Sequence, residues 1–339
     1  MQVRFLPRPP APAVKPGAFF RRPNRLLAGG TMHKKRRFVN CKPSSMTHKA
    51  GFVNILGKPN AGKSTLMNRL VGEKLSIVTP KAQTTRHRIL GIVSQPDYQI
   101  VFSDTPGYLE AKYGLHRAMM RFVESAIEDA DVILYLIDVT DPSDVESYRQ
   151  EILQAESKLI VVLNKVDQLP AEQLPALIKE WEALAPQAKV MPLSAEHGYN
   201  ADVLMHQIVE MLPEGESYYG EDELTDKSER FLAAEIIREK VFLNYKQEIP
   251  YASEVLVDSF KDEPNILRIE ATVYVERATQ KGIIIGHQGK ELKKVGTAAR
   301  LDMEKFWGKK VFLGLFVKIK ENWRNDDRQL RYFGYKSGS

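Results

Sequence analysis

Residues 57–64 read GKPNAGKS. They follow the apolar run FVNIL (52–56) and precede a stretch with helical spacing. The string fits G-x-x-x-x-G-K-[ST], and strand–loop–helix is the context that pattern requires. Gly57 and Gly62 allow backbone conformations that a Cβ forbids. Such a loop points main-chain N–H groups at phosphate oxygens, and the helix N-terminus adds partial positive charge. The whole loop, Gly57, Lys58, Pro59, Asn60, Ala61, Gly62, Lys63 and Ser64, is therefore expected to cradle a polyphosphate. Lys63 supplies a cation for the β- and γ-phosphates, and Ser64 offers a hydroxyl to Mg²⁺.

Working outward, apolar runs VILYLID (132–138) and LIVVLN (159–164) read as buried parallel strands. Helix-like stretches lie near 115–129, 143–156, 172–184 and 201–212. Alternating strands and helices predict an α/β fold with an open parallel sheet. RILGIVS and YQIVFSD flank the turn signal Gln95-Pro96-Asp97, which predicts a hairpin and one antiparallel edge strand.

DTPGY (Asp104, Thr105, Pro106, Gly107, Tyr108) ends a predicted strand forty residues past Lys63. Asp104 is expected to hold Mg²⁺, and the Gly107 N–H to meet the γ-phosphate and sense its loss. NKVD (Asn164, Lys165, Val166, Asp167) ends the strand LIVVL. The Asp167 carboxylate can accept from guanine N1–H and N2–H₂, whereas adenine offers no such pair and leaves the carboxylate unpaired. Asn164 is expected to tie the base loop to the phosphate loop, and the Lys165 stem to cover the base. Ser194 and Ala195 of SAE (194–196) complete the base pocket, the Ala195 N–H facing guanine O6. In the loop TPKAQTTRHR (79–88) both Thr84 and Thr85 qualify as the remaining Mg²⁺ and γ-phosphate ligand, and Thr85 is preferred. Taken alone, D-x-x-G, SAE or a threonine is an ordinary turn or strand start. Their order along the chain makes them specific. GTP, GDP and Mg²⁺ are the expected cofactors, with Lys63, Thr85 and Gly107 nearest the chemistry.

A polar, acidic stretch, PEGESYYGEDELTDK (213–227), reads as a linker. Beyond it come a helix (229–243), strands (253–260 and 266–276), a Gly-rich turn, a long helix (290–306) and a last strand (311–319). The turn contains Gly286-His287-Gln288-Gly289 inside KGIIIGHQGK. From Lys281 to Lys320 there are ten Lys/Arg and three acids, so a polyanion is the expected partner. The glycines let backbone approach a sugar-phosphate chain. Lys281, Lys290, Lys293 and Lys294 would contact phosphates, and Ile283, Ile284 and Ile285 would give bases a platform. A bare G-x-x-G is weak, and its alternative is a helix-joining turn with a solvated basic face. Trp307 reads as core. Trp323, Tyr332, Phe333 and Tyr335 fit either core or base stacking.

These residues resemble the translation-factor-like GTPases and, more narrowly, the bacterial Era family. GKPNAGKS, KAQTTRHRI, DTPG, NKVD and KGIIIGHQGK carry the resemblance, which spans about residues 50–325. It implies a Ras-like P-loop GTPase domain (46–212), the linker (213–227), a type II KH domain (228–325) and a C-terminal tail (326–339). It implies that the partner is the 3′ end of 16S ribosomal RNA in the small ribosomal subunit, whose assembly the protein would serve. Cytoplasmic location, loose peripheral association with the inner face of the plasma membrane, and a monomeric state are the matching expectations. Tyr108 stands where Ras-like enzymes often carry a water-orienting glutamine, so slow unaided turnover is expected. A module that uses GTP mainly as a conformational ligand is the alternative. Asn60 resembles the asparagine with which related GTPases hold K⁺.

Charge is segregated along the chain. Residues 1–45 hold eleven Lys/Arg and no acid, 46–227 hold 17 against 27 acids, and 228–339 hold 21 against 16. The Pro- and Arg-rich first 45 residues lack apolar periodicity and are expected to be disordered. A misassigned start with Met46 as the true first residue is preferred there over a transit peptide or a basic nucleic-acid arm. The single cysteine, Cys41, excludes an internal disulfide. No apolar run reaches 18 residues, which argues against a membrane span.

Overall fold

The computed structural model describes residues 3–4, 48–141 and 158–335. The helix expected at 143–156 falls outside these, as do Met46 and nearly all of the segment 1–45. Val3–Arg4 (β1) pairs antiparallel with Leu315 and Gly314, so this pair at least is placed on a sheet.

The first unit is a six-stranded sheet. In chain order its strands are β2 (Lys49–Gly57), β3 (Ile89–Ser94), β4 (Tyr98–Asp104), β5 (Val132–Asp138), β6 (Lys158–Asn164) and β7 (Lys189–Pro192). Their spatial order is β3-β4-β2-β5-β6-β7, with only β3 antiparallel to its neighbour. The expected hairpin is therefore present at the sheet edge. The central strands are buried on both faces, which is why their text is continuously apolar rather than alternating. Helix α1 (Lys63–Val71) buries Leu66, Met67 and Leu70 on one face of the sheet. Helix α2 (Gly114–Glu128) buries Leu115, Ala118, Met119 and Val123 on the other, at the spacing of one helical stripe. Two further helices, α3 (Leu174–Leu184) and α4 (Ala201–Met211), complete the layers.

The second unit starts at α5 (Glu229–Asn244), capped by the Ser228 hydroxyl, which accepts from the Phe231 N–H at 3.4 Å. Strands β8 (Glu254–Glu263) and β9 (Ile266–Val275) form an antiparallel pair, and β10 (Lys310–Ile319) lies parallel to β9. Between β9 and β10 lie α6 (Ala278–Ile285) and α7 (Lys290–Trp307). The stretch expected as a simple Gly-rich turn is thus a helix–turn–helix. The Ile run belongs to α6, where Gln280 caps the first turn by accepting from the N–H groups of Glu276 and Arg277, both at 3.0 Å.

The segments read as a linker and a C-terminal tail are packed against the first unit. The acidic connector after α4 lines the edge strand β3. Ile92 N–H donates to the Leu224 carbonyl at 2.9 Å, and Leu90 N–H to Asp226 at 3.0 Å. Burying an edge in this way satisfies backbone groups that would otherwise template aggregation. The C-terminal segment forms α8 (Asp327–Tyr332), capped by Asp326, and returns to the first unit. Leu115 N–H donates to the Arg324 carbonyl at 2.8 Å, and Trp323, Leu330, Phe333 and Tyr335 are buried in a core shared with α2. Their aromatic spacing is core spacing. Only Tyr332 remains exposed, at 58%.

Candidate nucleotide cleft and Gly-x-x-Gly loop

The C-terminal ends of β2, β4, β5 and β6 open onto one cleft of about 700 Å³. It is lined by the phosphate loop, the loop 77–85, Gly107, Asn164, Lys165, Asp167 and the 194–196 turn. Ligands of open α/β sheets bind at this end of the strands.

The phosphate loop is shaped by positive-φ residues: Gly57 at 141°, Asn60 at 66° and Gly62 at 98°. A Cβ on Gly57 would lie 2.5 Å from the Leu136 carbonyl oxygen, and one on Gly62 2.3 Å from Asn164 Nδ2. Both glycines are thus fixed by close approach as well as by φ. The Lys63 ammonium donates to the carbonyls of Gly57 (2.8 Å) and Lys58 (2.7 Å), which holds it within the loop.

Three predicted metal ligands converge. Ser64 Oγ donates to Asp104 Oδ2 at 2.7 Å and lies 2.9 Å from Thr85 Oγ1, which is itself 3.4 Å from Asp104 Oδ2. Asp104 is fully buried, and its Oδ1 has no hydrogen-bond partner. Burial pushes the carboxyl above its ordinary range, against the hydrogen bond from Ser64 and the charge of Lys63. Two hydroxyls, a buried carboxylate and an orphaned carboxylate oxygen fit a hard divalent cation such as Mg²⁺. Thr84, the less favoured candidate, also lines the cleft, but its hydroxyl bonds Thr79 and the Lys81 carbonyl, both at 2.6 Å.

Asp104 is followed by Thr105, whose hydroxyl donates to the Ile55 carbonyl at 3.0 Å, by buried Pro106, and by Gly107. A Cβ on Gly107 would stand 2.7 Å from Pro59 N, so only glycine brings this turn against the phosphate loop. Tyr108 is 40% exposed beside it.

At the base end, buried Asn164 donates to the Ala61 carbonyl at 2.7 Å, which ties the two loops as expected. Its Oδ1 accepts from Ala195 N–H at 2.9 Å. This corrects the expectation that the Ala195 N–H faces guanine O6: a buried amide oxygen needs a donor, and this N–H supplies it. Lys165, at φ 66°, pairs its ammonium with Asp138, so its stem is held across the cleft. Burial alone would raise Asp138, but hydrogen bonds from Lys165 and Thr140 bring it below the usual carboxylate range. Val166 opens a 3₁₀ turn whose next residue is Asp167, and Asp167 and Ser194 line the cleft with Ala195.

In the second unit, Gly286 (φ 69°), Gln288 (φ 52°) and Gly289 (φ 76°) make a sharp turn between α6 and α7. His287, Gln288, Lys290, Lys293 and Lys294 are exposed around it, and Lys281 is half-buried. The expected apolar platform is corrected in part. Ile283 is 52% exposed, but Ile284 is fully buried in the core and Ile285 packs against it. Three consecutive residues on a helix cannot share one face.

Sequence reasoning missed the contacts between the two units. Arg86 and Arg238, both fully buried, bridge the loop carrying Thr85 to the second unit. The basic pair Arg86-His87 next to the candidate ligand Thr85 was the available signal.

A nucleotide cleft built on a P-loop, joined to a unit with a Gly-x-x-Gly turn between helices, defines a GTPase carrying a KH domain. Residues 52–165 match the family model described as 50S ribosome-binding GTPase, and 248–324 match the KH domain model. GTPase Era of Syntrophus aciditrophicus is 44% identical over 296 residues, spanning 86% of this chain and 96% of that one. A chloroplastic ERA-like GTPase of rice is 43% identical over 85% of this chain and 70% of its own length. Two solved structures are 42% identical. One is Era in complex with MgGDPNP and nucleotides 1506–1542 of 16S ribosomal RNA (TM-score 0.81, 86% of this chain, 100% of that one). The other is a tyrosine-to-alanine variant of Aquifex aeolicus Era bound to GDP and AlF₄⁻ (TM-score 0.82, 85% and 100%). The chain belongs to the Era family of GTPases.

Proposed function

We propose that this GTPase binds the 3′ end of small-subunit ribosomal RNA through its KH domain and acts in assembly of that subunit. Support comes chiefly from the solved Era complex with MgGDPNP and a 16S RNA fragment, to which this chain is similar across both domains. The exposed Lys290, Lys293 and Lys294 beside the Gly286–Gly289 turn supply the phosphate contacts, and the glycines the close backbone approach.

In the cleft, Gly57–Ser64 cradle the phosphates and Lys63 neutralises the β- and γ-groups. Ser64, Thr85 and Asp104 hold Mg²⁺, which stabilises charge on the transferring phosphoryl group. Asp167 selects guanine, with the Lys165 stem over the base. Gly107 meets the γ-phosphate, and its release on hydrolysis alters the loops that abut the KH domain. Asn60 donates to the Pro80 carbonyl at 3.1 Å, which leaves its side-chain oxygen as the donor for K⁺. The protein works as a cytoplasmic monomer. Peripheral association with the plasma membrane rests on the family resemblance; among the described residues no helix is long and apolar enough to cross a bilayer.

Single-turnover hydrolysis, with and without a saturating oligonucleotide of the small-subunit RNA 3′ end, tests this function. The RNA should bind tightly and change the GTP turnover rate. Equal affinity for a scrambled oligonucleotide, with no change in turnover, would refute it.

A further inference from the structure

The loop from Thr79 to Arg88 lies between the nucleotide cleft and the KH domain, and it is bonded on both sides. Facing the cleft, Thr85 Oγ1 meets Ser64 and Asp104. Facing the KH domain, the Thr84 carbonyl accepts from Arg238 Nη2 at 2.6 Å. The Lys81 ammonium donates to the carbonyls of Phe242 and Tyr245 at the end of α5.

Arg86 carries most of the load. Its Nη1 donates to the Ser253 carbonyl (2.7 Å) and to Glu254 Oε2 (3.0 Å). Its Nη2 donates to the carbonyls of Pro250 (2.9 Å) and Tyr251 (3.3 Å). All four acceptors belong to one short stretch leading into β8, and the side chain is 0% exposed. The guanidinium also lies 5.5 Å from the Phe242 ring centre and 5.9 Å from that of Trp323. Glu254 is held further by the Tyr335 hydroxyl at 2.6 Å. A planar fork of fixed donors matched to main-chain carbonyls fixes position in a way a flexible ammonium does not.

In Ras-like switches the corresponding loop is ordered by the γ-phosphate and Mg²⁺ and released on hydrolysis. Here the residue next to the metal-ligating threonine is anchored in another domain. We propose that Arg86 is a positioning residue for the magnesium site: locked into the KH domain, it presents the Thr85 hydroxyl to the metal. The KH domain thereby supplies, from within the same chain, order that the nucleotide would otherwise have to impose. This rests on the reading of Ser64, Thr85 and Asp104 as magnesium ligands. By linkage, Mg·GTP in turn tightens the contact between the domains.

The test uses the full-length chain and three variants: Arg86→Lys, the charge-balanced double variant Arg86→Met/Glu254→Gln, and Thr85→Ala. The magnesium concentration that half-saturates GTP hydrolysis is measured alongside GDP affinity in EDTA. Both Arg86 variants should raise the magnesium requirement on the order of tenfold while GDP affinity without magnesium stays near that of the parent. A purely structural role would move both or neither. If Thr85→Ala leaves the magnesium requirement unchanged, the ligand assignment itself fails. If Thr85→Ala shifts it and folded Arg86 variants do not, the positioning role fails. Amide hydrogen exchange of the unaltered protein without nucleotide is the second measurement, and it holds even if the variants do not fold. The amides of residues 84–88 should be protected as strongly as those of 251–254, and fast exchange confined to 84–88 overturns the proposal.

Discussion

The hydroxyl of Ser64 donates to the carboxylate of Asp104 at 2.7 Å, and this contact joins the phosphate loop to the end of β4. The second oxygen of Asp104 is buried without a partner, which is where a cation would be satisfied. Asp104→Asn keeps the shape and removes the charge. Hydrolysis should fall on the order of a hundredfold or more, while GDP binding in EDTA persists. Magnesium titration of steady-state turnover checks this, and undiminished turnover at low magnesium would count against the metal assignment.

Gly286 sits at φ 69°, and a Cβ there would come within 2.7 Å of the Glu291 side chain. Gly286→Asp adds that clash, backbone strain and a negative charge next to the phosphate path. RNA affinity should drop on the order of tenfold or more at fixed salt, with GTP hydrolysis in the absence of RNA unchanged. Filter binding and turnover on the same preparation separate the two. Intact RNA affinity would mean that the turn does not face the nucleic acid.

Asn60 bonds the Pro80 carbonyl through its amide nitrogen. Turnover in K⁺ should exceed turnover in Na⁺, and Asn60→Ala should remove the difference. Equal rates in both salts for the unaltered chain would dismiss a monovalent cation at this position.

His116 is buried on α2 beside Tyr113, and its Nε2 has no partner. Burial lowers its pKa to about 4, assisted by the charges of Arg86, Arg324 and Lys112. The unfolded chain, with an ordinary imidazole near 6.5, therefore binds the proton more readily. Its stabilising contribution is complete above that value and is lost as pH falls through the window down to about 4. The slope approaches about 1.4 kcal/mol per pH unit. Urea unfolding across this range should show a shallower slope for His116→Asn than for the parent. Parallel slopes would mean the imidazole is charged in the folded protein.

Much of the nucleotide cleft was legible because its chemistry is local. GKPNAGKS, DTPGY and NKVD each end or follow a strand, and a parallel sheet brings the ends of its strands to one side. Spacing could therefore assemble Ser64, Asp104 and Asn164 without coordinates. The Ile283–Ile285 platform was misread because the segment looked like a turn, while a helix sends consecutive residues to different faces. The C-terminal segment was read only as a tail, with Phe333 and Tyr335 open between core and base stacking; the helix docked on α2 places them, with Leu330, in the core.

The sequence by itself determined that the phosphate loop, Gly107, Asn164 and Asp167 would meet at one cleft, because each motif sits at the end of a strand within a strand–loop–helix unit. The tertiary structure alone decided that the Arg86 side chain is anchored in the KH domain and that Ala195 N–H is committed to Asn164. The partners in those contacts are 167 and 31 residues away along the chain. No periodicity encodes such a pairing, since it exists only once packed surfaces exclude water and each buried polar group must find its complement.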